Sequence, residues 1–275
     1  MIDYLAIGHV AKDLTADGPL LGGTVSYAGR TAHSIGLRVG VITSCEEDFD
    51  LGPLEGIHIF RLPSDATTTF ENIYTQDGRI QRLHSRATEL SQDSVPLQWR
   101  NVRIVHLGPI ANEVDPHSAH LFDSAFIGIS PQGWMRRWNH NNHIQLMNWK
   151  SIKFYLPLAD AVVLSIEDLQ NDEAAAREMA RYCNILAVTR AAQGARIFSR
   201  GQCIDLPAPE IEEVDSTGAG DIFAAAFFIR LQETNDPHEA GVFANIVASN
   251  SIARKGVSST PTVEEIETAF IRVRQ

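Results

Sequence analysis

Short apolar runs rich in β-branched residues recur at 4–10 (YLAIGHV), 39–44 (VGVITS), 104–110 (IVHLGPI), 126–130 (FIGIS), 161–165 (AVVLS) and 185–189 (ILAVT). Runs of this length and content read as buried strands. Helical periodicity over 25–36, 167–182, 221–232, 238–254 and 262–273 separates many of them. The alternation predicts a mostly parallel sheet wrapped by helices, an α/β class. One region breaks the pattern: 57–87 holds strand-like stretches with alternating polar residues around an Asp77-Gly78 turn and no helix between them, which predicts an antiparallel flap. A second strand-rich piece, 195–208 (ARIFSRGQCIDLPA), reads as a hairpin. The polar stretch WNHNNH (138–143) reads as a solvated loop, because no carboxylate or cysteine accompanies its histidines at ligand spacing.

Composition narrows the class. With 275 residues, 44% of them hydrophobic, the chain can bury a full core as one large domain or two small ones. A formal net charge of -11 argues against a nucleic-acid partner, which requires clustered Lys and Arg. Cys45, Cys183 and Cys203 are odd in number, widely spaced and without a CxxC, so neither a disulfide framework nor a zinc site is expected. The start MIDYLAIGHV lacks a basic leader, and no apolar run reaches the ~18 residues of a membrane span. A cytoplasmic protein with no membrane partner is the expectation.

The most informative stretch is EEVDSTGAGDIFAAAFFIRL (212–231). Gly218, Ala219 and Gly220 allow successive backbone N–H groups to converge on one point. A helix starting there adds its own unpaired N–H groups and dipole, so the turn suits an anion. Asp221 has two readings: a helix-start acid, or a base beside the anion site that takes the proton of an attacking hydroxyl. The following helix is apolar nearly all round and is therefore expected to be buried, with its N-terminus aimed from the core at a cleft. That favours the base, and phosphoryl transfer, in a chain without a GxxxxGK[ST] loop.

The stretch DSTGAGD (215–221) resembles the C-terminal signature of the ribokinase-like, or PfkB, family of carbohydrate kinases. LGGTVSYAGRTAHSIGLRVGVITS (21–44) is similar to the family's N-terminal glycine pair, helix and strand. AVTRAAQGARIF (187–198) resembles its nucleotide segment, and FANIVASNSIARKGVSSTP (243–261) the helix and loop over the adenine. The resemblance implies one three-layer α/β/α domain over 1–275, with a small antiparallel β lid formed mainly by about 57–87 and part of 10–20. It implies Asp221 as base and Gly218, Ala219 and Gly220 as the anion hole. Asp13, Gly22, Gly23 and Tyr27 would meet the acceptor, and Thr189, Gly194, Thr217 and Asn245 would lie along ATP. Tyr27 stands where many members carry Asn; its flat ring changes the pocket floor and disfavours ribose itself as acceptor.

VVLSIEDL (162–169) takes the place of the family's Asn-x-x-Glu motif, so Ser165 and Asp168 are the expected Mg2+ residues, largely through water. A capping role for Asp168 and a metal role for Glu167 are the alternatives. PQGWMRRW (131–138) has two readings: Arg136 or Arg137 aimed at phosphate with Trp134 at a sugar face, or a packed Trp with exposed arginines. Thr67, Thr68 and Thr69 offer hydroxyls or an edge strand. The expected activity is an ATP- and Mg2+-dependent kinase acting on a hydroxyl of a small sugar or cyclic polyol. A nucleoside kinase of the same fold and a non-catalytic sensor are the alternatives, and the resemblance implies a homodimer through the lid.

Overall fold

Alternation in strand β1 (Tyr4–Ile7) sets the layers: Tyr4 and Ala6 enter one apolar cluster, Leu5 and Ile7 another, and all four are buried. The computed structural model describes residues 2–15, 18–75 and 78–273, so Asp77 of the expected turn lies outside the described residues. After β1 come β2 (Ala11–Thr15), β3 (Gly18–Gly22), helix α1 (Thr24–Ser34) and β4 (Val39–Cys45). Next are β5 (His58–Pro63), β6 (Thr68–Thr75), β7 (Gly78–Ser85), β8 (Ile104–Leu107), β9 (Phe126–Ile129), β10 (Arg136–Trp138) and β11 (Ile144–Leu146). The chain continues through β12 (Ala161–Ser165), α2 (Glu173–Met179), β13 (Ile185–Thr189), β14 (Ala195–Ser199) and β15 (Gln202–Leu206). It closes with α3 (Ala219–Thr234), α4 (Pro237–Ser251) and α5 (Val263–Val273).

The large sheet runs β15-β14-β13-β12-β9-β8-β1-β4-β5. Its pairs are parallel from β13 through β5, and the hairpin β14–β15 adds an antiparallel edge. Helices α1, α3, α4 and α5 bury one face, and α3 is apolar all round because Ile222 to Ile229 lie enclosed between the sheet and neighbouring helices. The opposite layer is thinner, made of α2 and short 3-10 turns that carry Trp134 and Trp149 inward. The result is a three-layer α/β/α architecture. Among the described residues no helix is long and apolar enough to cross a membrane.

A four-stranded sheet, β3-β2-β6-β7, stands apart from the large one. Its β2–β3 and β6–β7 pairs are antiparallel and β2–β6 is parallel. Here the structure corrects the expected extent of the flap. Residues 58–63 pair parallel with β4 and extend the large sheet, so the lid is 11–15, 18–22, 68–75 and 78–85. A half-exposed edge strand shows the same polar alternation as a flap strand, hence the confusion. The helix expected over 167–182 is likewise shorter. Gln170 and Asn171 adopt left-handed φ of 56 and 61, and α2 starts anew with the Asp172 carboxylate accepting from the Ala174 and Ala175 N–H groups.

Candidate active site

At the carboxyl ends of the parallel strands, where open α/β sheets bind ligands, the lid and two helix N-termini converge. Chain leaving β1 becomes lid strand β2, whose Asp13 side chain folds over Gly22. A Cβ on Gly22 would lie 1.9 Å from Asp13 Oδ2, so only glycine accommodates this carboxylate. Gly23, at φ 91, then starts α1 without a side-chain cap. Thr24 follows and hydrogen-bonds the Asp221 carboxyl, a partner that the sequence reading missed.

Asp221 lies in the first turn of α3. Before it, the Asp215 carboxylate accepts from Thr217 N (2.9 Å) and Gly256 N (3.3 Å), which fixes the turn. Gly218 is left-handed at φ 81, and a Cβ there would strike the Tyr27 ring at 2.3 Å. Tyr27 is 2% exposed, so its ring is packed beneath the turn. Gly220, in contrast, is exposed and faces open space, with no atom within 4 Å of the position its Cβ would take. Among the described residues, the Gly220 and Asp221 backbone N–H groups take no backbone acceptor, as helix N-termini leave them. Glycine turn, open approach and unpaired donors together make a corner that can receive an anion.

Electrostatics in this corner are unusual. Burial pushes the Asp221 carboxyl up from 3.8 to about 6; Asp168 and Asp13 push the same way, opposed by the Thr24 hydrogen bond and the Arg136 charge. Asp221 is half-buried, so part of its surface still meets solvent. Tyr27 is likewise held neutral, by burial first and then by Asp13, Asp221 and Asp215. A base tuned near neutrality suits proton removal from a hydroxyl.

Asp168 is buried, with Oδ2 accepting from Ser165 N (3.1 Å) and Oδ1 from Gln132 Nε2 (3.1 Å). The capping role is therefore present, while each oxygen retains a lone pair for water. Glu167 is exposed and lines a cavity of about 300 Å³ with Ser165, Asn171 and Arg190. Among the described residues no group of three or more His, Cys, Asp or Glu could cage a metal ion. This donor set fits Mg2+, which keeps its waters and takes one or two carboxylates together with phosphates.

Farther along the sheet, Thr189 ends β13. Gly194 (φ +82) packs so closely on Leu206 that a Cβ would meet its carbonyl oxygen at 2.1 Å. Asn245 is buried, and its Nδ2 donates to the Leu206 and Pro207 carbonyls at 3.0 and 3.3 Å. Gly194 and Asn245 thus shape one wall. Thr217 is exposed beside the α3 turn. Trp134 does not face the cleft: it is buried and its Nε1 donates to Val114 O, while Arg137 is exposed. Thr67 and Thr68 are buried fasteners of the lid base, bonded to Glu46 and His9. A larger concavity, about 1410 Å³, lies at the amino ends of the strands around Asp3, Arg103, Asp160 and Arg200. It contains none of these groups, so chemistry and not size locates the site.

Residues 148–264 match the sequence model of the pfkB family of carbohydrate kinases. That segment of the chain is similar to these kinases. The chain is 39% identical over 90 residues to ribokinase from Bacillus subtilis, covering 32% of this chain and 31% of that protein. It is 29% identical over 152 residues to fructokinase from Escherichia coli, covering 50% and 48%. The chain thus spans less than half the length of these curated relatives. Over the whole chain the fold matches a structure described as a pyrophosphate-dependent kinase in the ribokinase family complexed with a pyrophosphate analog and myo-inositol. That match has a TM-score of 0.83 and 23% identity, covering 96% of this chain and 99% of that one, and it shows the ribokinase-like fold.

Proposed function

We propose that the protein is a kinase transferring the γ-phosphoryl group of ATP to a hydroxyl of a small sugar or cyclic polyol, in the cytoplasm. The observation that carries this reading is the meeting of Asp221, with its carboxyl near neutrality, and the open Gly218–Gly220 turn at the start of one buried helix. Asp13 accepts hydrogen bonds from acceptor hydroxyls and orients one of them toward Asp221. Asp221 takes that hydroxyl's proton as the oxygen attacks phosphorus. The N–H groups of the turn hold the charge on the transferred group. Asp168 and Ser165, or the neighbouring Glu167, would hold Mg2+, largely through water, and the ion would supply neutralisation of the phosphate charge. Thr189, Gly194 and Asn245 line the donor side, Gly194 and Asn245 as its wall. The lid excludes water, so the donor is not lost to hydrolysis.

A nucleoside acceptor fits less well, because Tyr27 is packed on Gly218 and does not present an open ring face for a base. A second copy would pair through the β3 edge of the lid, since the β7 edge is met by Asn142 and His143. The test is product release with Mg2+ across sugars, inositols and nucleosides, using ATP and, given the structural relative, pyrophosphate as donors. Acceptor-dependent turnover that collapses in Asp221→Asn supports the reading. Tight ligand binding without turnover in either protein replaces it with a sensor.

A further inference from the structure

The hairpin β10–β11, with Arg136 opposite Leu146 and Trp138 opposite Ile144, is built onto the lid. At its tip, Leu83 N of the lid donates to Asn142 O (2.9 Å), and Arg82 Nε donates to His143 Nε2 (2.9 Å). Beside that tip, the Arg86 guanidinium lies 6.0 Å from the Trp138 ring while donating to the Ala111 and Asn112 carbonyls. The hairpin and the lid therefore form one wall.

Two contacts position the Arg136 guanidinium: Nη1 donates to Ile110 O (3.2 Å), just beyond β8, and the group stands 5.8 Å over the Phe70 ring of β6. Its charge also lowers the pKa of the Asp221 carboxyl. Phe70 is the register partner of Asp13 across the parallel β2–β6 pair, so the two side chains share the inner face of the lid. The donor-side residues Ser165 and Thr189 end β12 and β13, and Gly194 follows β13, on the other side of β9 in the sheet order. Arg136 thus stands over Phe70, the register neighbour of Asp13, on the side of the sheet where the lid attaches.

We propose that Arg136 is an acceptor-binding, specificity-determining residue, donating to hydroxyls of a neutral polyol while Asp13 accepts from others. A planar fork of N–H donors matches adjacent oxygens in a way that a point charge does not. Because Asp13 and Asp221 outnumber this one guanidinium, an acceptor bearing its own carboxylate or phosphate is repelled. The polyol class rests on the kinase reading above; the Arg136 contact does not.

The test separates the two. Acceptor binding is measured calorimetrically without donor for the parent, Arg136→Met, Arg136→Lys and the exposed neighbour Arg137→Met. The panel is inositols and neutral pyranoses, uronic acids and sugar phosphates. KM for acceptor and donor follows where turnover occurs. Loss of a charged hydrogen bond predicts about 10- to 100-fold weaker polyol binding in Arg136→Met, partial recovery in Arg136→Lys and no change in Arg137→Met. The donor KM stays within about twofold, which a general structural defect would not spare. Polyol affinity unchanged in both Arg136 variants, a donor KM that moves while acceptor affinity does not, or no neutral polyol bound by the parent overturns the inference. Preferred binding of an acidic sugar overturns its neutral half. Arg136-dependent binding without turnover by any donor leaves it standing while the kinase reading fails.

Discussion

Replacing Asp221 by Asn should raise stability and abolish activity, with opposite pH signatures. The carboxyl rises from 3.8 to about 6 on folding, chiefly through burial. At about 1.4 kcal/mol per pH unit, the ionised group costs the native state about 3 kcal/mol at pH 7 relative to a neutral one. The sign follows from proton binding: between the two values the native state holds more protons than the unfolded chain, so its stability falls as pH rises through that window. Asn is neutral at every pH and its oxygen can still accept from Thr24, whereas Arg136 loses an opposing charge. We therefore expect a gain of about 1 to 3 kcal/mol at pH 7.5, shrinking to about 0.5 kcal/mol or less at pH 4. Turnover should fall by about two to four orders of magnitude, the range for a lost general base. Urea denaturation of ligand-free parent and variant at pH 4, 5.5 and 7.5, paired with product formation, measures both. A variant that is less stable at pH 7.5, or stabilised equally at all three pH values, would refute the argument that burial of this charge is tolerated for function.

Three other substitutions probe the scaffold. Gly218→Ala places a Cβ 2.3 Å from the Tyr27 ring at φ +81; left-handed strain and overpacking together predict a loss of about 2 to 5 kcal/mol, read by denaturation. Gly22→Ala meets only the movable Asp13 carboxylate, so steady-state kinetics should show a higher acceptor KM with little change in Tm. Glu113 is buried and accepts from the His9, Ile110 and Ala111 N–H groups, holding the loops after β1 and β8. Its replacement by Ala should cost about 3 kcal/mol or more, because these buried donors lose their acceptor. A melting curve checks it.

What was legible in the sequence follows from what is local. The alternation Tyr4/Ala6 against Leu5/Ile7 announces a strand covered on both faces, and the apolar circumference of Ile222 to Ile229 announces a buried helix behind a glycine turn. Residues 58–63 misled because an edge strand of the large sheet and a lid strand alternate alike; only the pairing with β4 distinguishes them. The break in the 167–182 helix had a signal, the turn formers Gln170, Asn171 and Asp172, which periodicity overrode. Thr24 carried none: a hydroxyl after two glycines acquires meaning only when α3 brings Asp221 to it. The same holds for Trp134, whose partner Val114 is 20 residues away, and for the junction of the lid with 142–143, some 60 residues farther along the chain.

The most direct test of the central claim is 31P NMR of the purified protein with Mg2+, ATP and each of a set of neutral sugars and inositols. The account predicts a new phosphomonoester resonance that grows in step with ADP for at least one acceptor and is absent with Asp221→Asn. Only ADP and inorganic phosphate, or an unchanged spectrum with every acceptor and with pyrophosphate as donor, would contradict it.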